Sequence, residues 1–177
     1  TKTYYPNCRY YGIDKIVNYN LSGKDWAVMD NFYKLDLSNC NNLDTITDNF
    51  FDCIILSHII EHLHNGNEII KELLNKLKRG GIIYIELPSH RSVYLPRLKI
   101  LNFYDDPTHV KMYYLKELKA LLTSNGCIII KSGIRRSLKR IIFLPLYFIA
   151  LFIFYKRIVG GLFWDILSFA DFIVAKK

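Results

Sequence analysis

The sequence lacks the patterns that mark several common classes of protein. Its four cysteines lie far apart and form no Cys-x-x-Cys pair, so reduced thiols are predicted rather than a disulfide framework. The N-terminal stretch TKTYYPNCRYY is polar and lacks the apolar core of a signal peptide. These two absences favour a cytoplasmic protein.

An apolar run long enough for a confident membrane span, which needs about 20 residues, is also missing. The most apolar stretch, IIFLPLYFIALFIFY at residues 141–155, contains Pro145 and is flanked by pairs of bases at 139–140 and 156–157. One interpretation is a helix pair that covers a sheet or forms a substrate lid. The second is a helix at a membrane interface, which would place the protein peripherally on a membrane. A true span is the third and least favoured.

Basic residues are in excess, but their distribution in the sequence is not typical of a nucleic-acid-binding surface. The net charge is +8, and the densest basic region is KSGIRRSLKR at residues 131–140. A run of this kind is typical of a solvated surface, and no basic stripe with interleaved aromatic residues is present. A nucleic-acid partner is therefore not expected.

Short apolar runs alternate with segments of helical periodicity, which predicts an α/β sheet. With 177 residues, of which 51% are hydrophobic, the chain is expected to form one domain, 1–177. We predict helices at 67–78 and 115–124, with Gly80–Gly81 ending the first helix. An apolar helical insertion is expected at 135–167, before the last strand. The predicted strands cover 9–14, 32–37, 51–57, 82–87, 127–130 and 169–175, the last pairing antiparallel at an edge.

Five segments follow one another in a recognisable order. They are YYGID (10–14), KLDL (34–37), FDCIILSHIIEHL (51–63), LLNKLKRGGIIYIELP (73–88) and DDPTHVKMY (105–113). This pattern resembles the class I S-adenosylmethionine-dependent methyltransferases. The resemblance implies a Rossmann-like sheet with helices on both faces, and S-adenosyl-L-methionine as the cofactor.

The resemblance also implies which residues hold the cofactor. A carboxylate at the carboxyl end of a parallel strand can accept both ribose hydroxyls, and Asp14 fits this position. Asp36 would face the adenine amino group, and Leu37 would help to hold the ring. Ser57 and His58 would contact the cofactor or the acceptor from the loop after the third strand. The alternatives are a helix N-cap for Asp14 and a turn acid for Asp36.

The glycine-rich loop of this family, through which the backbone approaches the methionine part of the cofactor, does not occur in the 177 residues. We therefore expect that the first strand and its loop lie upstream of Thr1. On that expectation, these residues alone bind S-adenosylmethionine poorly or not at all and are inactive on their own, even if the protein they come from is active.

The segment SHIIEH suggests three roles. If it is helical, His58, Glu61 and His62 share one face and, with His109, form a candidate metal site that resembles that of the small-RNA 2′-O-methyltransferases. Alternatively, His62 and His109 are acid/base groups that take the proton of an acceptor hydroxyl. The third interpretation is structural, with Glu61 paired locally and His62 packed on a neighbouring tyrosine.

The expected activity is methyl transfer to a small-molecule, glycan or lipid-linked acceptor. The aromatic and basic segment 90–110 is a candidate acceptor loop, with Arg91 and Arg97 able to hold a phosphate or carboxylate. Two other functions remain open, a non-catalytic methyltransferase-like binding module and a metal-assisted 2′-O-methyltransferase of RNA.

Overall fold

A computed structural model describes residues 5–17, 21–97, 101–155 and 163–177. The chain divides into two compact units, Thr1–Ile46 and Thr47–Lys177. The strands are β1 (Tyr11–Asp14), β2 (Asn31–Lys34), β3 (Phe51–Ser57), β4 (Leu77–Pro88), β5 (Ile128–Ile134) and β6 (Ala170–Lys176). The helices are α1 (Gly23–Val28), α2 (Gly66–Lys76), α3 (Leu115–Ser124), α4 (Leu138–Tyr155) and α5 (Trp164–Leu167).

The first unit is a parallel strand pair joined through helix α1. Strands β1 and β2 pair from Tyr11 opposite Asn31 to Asp14 opposite Lys34. Ser22 caps α1 in a capping box, in which its hydroxyl binds the Asp25 N–H and the Asp25 carboxylate binds the Ser22 N–H. Strand β2 ends at Lys34, before the end of the predicted 32–37, and the turn follows at Leu37 and Ser38.

The second unit is built on a mixed four-stranded sheet in the order β3-β4-β6-β5. Strands β3 and β4 are parallel, whereas β6 is antiparallel to both of its neighbours. The mixed α/β architecture confirms the predicted fold class. The expected edge position of the last strand was wrong, since β6 lies between β4 and β5. Its residues Ile173 and Ala175 are fully buried, as a central strand requires.

Two helices bury apolar faces in this unit, and each has the periodicity that predicted it. In α2 the buried positions include Ile69, Ile70, Leu73 and Leu74, and in α3 they are Leu118 and Leu122. Burying one such side chain contributes about 1.5–3 kcal/mol, so these faces supply much of the stabilisation of the unit. In β4, Ile83, Ile85 and Leu87 are buried as well.

Glycines 80 and 81 do not end helix α2, contrary to the prediction. The helix ends at Lys76, and Leu77 is already in an extended conformation. Both glycines lie within β4, where the pairing with β3 shifts register between Phe51 opposite Leu77 and Cys53 opposite Ile82. Gly80 has a φ of 79°, a conformation open to glycine, so the pair forms an irregularity in the strand.

The apolar stretch 141–155 forms most of α4, which lies between β5 and β6 in the chain. Pro145 lies inside this helix. Large apolar side chains of α4 are exposed, namely Leu138, Ile142, Phe143, Leu146, Ile149 and Ile153. Among the helices of the described residues, none combines the length and the apolar character that crossing a membrane demands.

Candidate functional site

His58 begins the turn that leaves the carboxyl end of β3. Its φ of 54° is in the left-handed region, which is strained for a residue with a side chain. The His58 N–H donates to the Glu86 carbonyl over 2.9 Å, which holds this conformation. The expectation that His58 shares a helical face with Glu61 and His62 was wrong, because a short 3₁₀ turn begins only at Ile60.

The His58 ring lies between two carboxylates. Its Nδ1 is 3.0 Å from Glu61 Oε1, and its Nε2 is 3.3 Å from Glu86 Oε1. Burial alone would lower the pKa of His58, but hydrogen bonds to both glutamates and their negative charge raise that pKa to about 9. His58 is therefore a cation at neutral pH. Its ring also packs against Trp164 and Phe169.

The ion cluster around His58 continues through groups that the sequence did not reveal as a site. Arg135 Nε lies 3.3 Å from Glu86 Oε1, and Arg135 Nη1 lies 3.8 Å from Asp165 Oδ1. Burial alone would raise the pKa of Glu86, but hydrogen bonds from His58 and Tyr84 and the charge of Arg135 lower it below its usual value. The one available signal was an acid inside the apolar run IIYIELP.

A second set of contacts docks the DPTH segment against the turn after β3. The Glu61 carbonyl accepts hydrogen bonds from the N–H groups of Val110, at 2.9 Å, and Lys111, at 3.2 Å. The buried Tyr113 hydroxyl donates to the Leu63 carbonyl and accepts from the Gly66 N–H. These main-chain contacts bring two segments that are more than 40 residues apart to one place.

That docking places His62 beside His109, with their ring centroids 4.8 Å apart. His62 Nδ1 lies 3.1 Å from the Thr108 carbonyl, and His109 Nδ1 lies 2.6 Å from the Phe103 carbonyl. A carbonyl oxygen only accepts, and the Thr108 hydroxyl, 2.9 Å from His62 Nδ1, donates to Asp106. In the neutral form of each ring, Nδ1 therefore carries the hydrogen and Nε2 presents a lone pair. Such a nitrogen can take a proton from an acceptor or bind a cation. His62 packs on His109 and not, among the described residues, on a tyrosine.

Asp14 and Asp36 lie at the same end of the parallel strand pair in the first unit. Asp14 Oδ1 accepts the Ile16 N–H over 2.9 Å in a local turn, and helix α1 is capped by Ser22 instead of Asp14. Asp36 Oδ1 accepts the Ser38 N–H over 2.9 Å. Hydrogen bonds from Ser38 lower the pKa of Asp36 below its usual value. Both side chains are thus held in local turns.

The other predicted contacts differ in how accessible they are. Ser57, the last residue of β3, is exposed, and Leu37 is half-buried in the first unit. A cleft of about 310 Å³ elsewhere in the second unit is lined by Arg91, Lys116 and Asp171, among others. Burial raises the pKa of Asp171, despite a hydrogen bond from Ser89 that lowers it. The His62–His109 pair does not line this cleft.

Residues 4–132 of the chain match the family model described as "Methyltransferase domain". The chain belongs to this methyltransferase family. The match begins before β1 and ends within β5, so it includes the turn after β3 and the DPTH segment. No curated protein matches the sequence. S-adenosylmethionine is the cofactor that this membership implies.

Solved structures agree with this assignment. A SAM dependent methyltransferase from Archaeoglobus fulgidus is 22% identical and has a TM-score of 0.60, over 99% of this chain and 90% of that chain. An S-adenosylmethionine dependent methyltransferase from Mesorhizobium loti is 12% identical, with a TM-score of 0.64 over 98% and 83% of the chains. The [4+2]-cyclase SpnF has a TM-score of 0.53 at 18% identity, over 96% and 66% of the chains. At these identities the likeness concerns the fold.

Two carboxylates of the methyltransferase, Asp14 and Asp36, are the predicted contacts of this cofactor. Asp14 follows a parallel strand at its carboxyl end, and in the described residues only its Oδ1 has a hydrogen-bond donor. Its Oδ2 is thus suited to ribose hydroxyls, while Asp36 is suited to the adenine amino group. When bound, S-adenosylmethionine supplies an electrophilic methyl group on a sulfonium. The roles of Asp14, Asp36, Leu37, Ser57 and His58 in holding it stay predictions.

Proposed function

We propose that this methyltransferase transfers the methyl group to a hydroxyl of a lipid-linked acceptor at a membrane surface. The observation that carries the proposed chemistry is the His62–His109 pair. Each ring has its Nδ1 hydrogen committed to a main-chain carbonyl, so each is held in the tautomer that has a lone pair on Nε2.

This pair suits the removal of a proton from the acceptor oxygen. A hydroxyl is a weak nucleophile until its proton leaves, and a neutral imidazole near neutral pH can take that proton. His58 is unsuited to this role, because its two carboxylate partners keep it protonated at neutral pH. The remaining catalytic effect comes from holding the acceptor oxygen in line with the sulfonium methyl group.

The lipid-linked class of acceptor is supported by the surface of α4. Its exposed apolar side chains include Leu146 and Ile149, which are 63% and 53% exposed. Exposed Lys139 and Arg140 lie in the first turn, and the chain as a whole carries a charge of +8. An apolar helix face beside basic residues fits an anionic membrane interface. Arg91 and Lys116 in the cleft would suit a phosphate on such an acceptor.

Methyl-labelled S-adenosylmethionine, incubated with the protein and vesicles of a cellular lipid extract, tests this function. We expect label in the organic phase. The double substitution Leu146→Ser/Ile149→Ser should lower the rate at limiting lipid about tenfold or more, because two apolar side chains no longer enter the interface.

Ile128→Ser is the matched control, since Ile128 is an equally exposed apolar residue on β5. It should leave the rate unchanged. Label found only in water-soluble products would overturn the lipid-linked acceptor, and label in neither phase would overturn methyl transfer by these 177 residues.

A further inference from the structure

We infer that Glu61, His62 and His109 form a binding site for a divalent transition-metal ion. One ligand atom from each of the three residues lies within 4.8 Å of the other two. Two imidazoles and one carboxylate are a donor set that such ions bind, with positions left open for water or substrate. His58, which the sequence had placed in this set, is excluded because both its ring nitrogens face carboxylates of the ion cluster.

An unused buried oxygen supports the inference. Glu61 is 1% exposed, and its Oε2 has no hydrogen-bond partner among the described residues. A buried carboxylate oxygen without a hydrogen-bond partner lowers the stability of the fold, and a cation bound at the site would offset this cost. Its other oxygen, Oε1, is held by His58 over 3.0 Å, so the carboxylate is fixed in orientation.

The hydrogen bonds of the two histidines provide the second line of support. Histidines that bind metals commonly donate their other ring N–H to a carbonyl or carboxylate, which fixes the ring and its tautomer. His62 and His109 both do so here, through the carbonyls of Thr108 and Phe103. Asp106 adds negative charge nearby, with Oδ2 3.9 Å from His109 Nε2.

Little movement is needed to complete the site. Donor atoms around a tetrahedral ion about 2.1 Å away are separated by about 3.4 Å, so the side chains close by little more than an ångström. The metal's role in methyl transfer rests on the proposed function. There, the acceptor hydroxyl would bind an open position, its pKa would fall, and its proton would pass to water. In the metal-bound protein the two histidines would be ligands, so the metal would replace them as the group that promotes loss of the acceptor proton.

Titration of the metal-free protein with Co²⁺, followed by visible absorption, tests the site. We expect saturation at one equivalent of Co²⁺ with the d–d bands of a nitrogen and oxygen site. His62→Ala and His109→Ala should remove these bands, and Glu61→Gln should weaken binding at least about tenfold. The exposed His64, two residues from His62, is the control, and His64→Ala should bind Co²⁺ as the wild type does.

Thermal unfolding of each variant without metal shows whether that variant is folded. An alanine variant that is unfolded is replaced by the corresponding glutamine variant, His62→Gln or His109→Gln. Absence of binding, or bands that persist when either histidine is replaced, would overturn the site. Methyl transfer by a protein that binds no Co²⁺ would refute the metal and leave the proposed function standing. Co²⁺ binding without methyl transfer to any acceptor would refute the proposed function and leave the metal site standing.

Discussion

Replacing His58 by alanine is expected to lower the free energy of unfolding by about 3 kcal/mol. Its ring is the cation between Glu61 and Glu86, whose side chains are 1% and 10% exposed. Removing one partner of a buried ion pair leaves an uncompensated charge and costs about 3–5 kcal/mol. We place His58 at the lower end of that range, because a quarter of its side chain, 26%, is exposed and water can partly screen the glutamates.

Urea unfolding measures this effect. The matched control is His64→Ala, which removes an exposed imidazole and should change the free energy of unfolding by less than about 0.5 kcal/mol. A loss below about 1 kcal/mol for His58→Ala would contradict the importance of the ion cluster. Glu86→Gln is a useful second variant, because it keeps the shape of the side chain while removing one carboxylate from His58 and Arg135.

Replacing His62 or His109 by alanine is expected to lower kcat for methyl transfer by at least about 100-fold. A positioned acid or base contributes about 10²–10⁴ in rate. The KM for S-adenosylmethionine should change little, since neither His62 nor His109 is among the predicted cofactor contacts. The assay is the incorporation of labelled methyl groups into the organic phase.

The double variant separates the two histidines from a general effect on folding. If the two rings act as a unit, His62→Ala/His109→Ala should be about as slow as either single variant. His64→Ala should retain the wild-type kcat. A kcat within threefold of wild type for both single variants would contradict the role of the pair.

Much of the fold was predictable, because apolar periodicity reports which face of an element is buried. Strand β3 and helix α3 begin and end where the sequence predicted. The predicted ends of helices and strands were wrong where interactions with distant residues determined them. Gly80–Gly81 resembles a helix stop, yet the strand pairing with β3 and the bond from the Gly80 N–H to the Lys177 carbonyl place it in β4. The central position of β6 depends on its pairing with β4 and β5, and β4 lies far from it in the chain, so the local sequence does not reveal that position.

The candidate site was predicted in part. His62 and His109 were singled out from their types and from the order of the motifs, and the structure places them side by side. His58 was misplaced because its left-handed φ interrupts the helix that the SHIIEH spacing suggested. The contribution of Arg135 and Asp165 could not be read from the sequence, since neither lies near His58 along the chain.

Calorimetric titration with S-adenosylhomocysteine tests the central claim most directly, comparing wild type with Asp14→Asn. The missing glycine-rich loop allows either weak binding or none, and we predict weak but measurable binding, because Asp14 and Asp36 are held at the same end of the parallel strand pair. Asp14→Asn should weaken it at least about tenfold, since a hydrogen bond to a charged group contributes about 1.5–3 kcal/mol. Asp44→Asn, an exposed acid of the same unit, should bind as the wild type does. No binding at all, or equal binding by wild type and Asp14→Asn, would contradict the account.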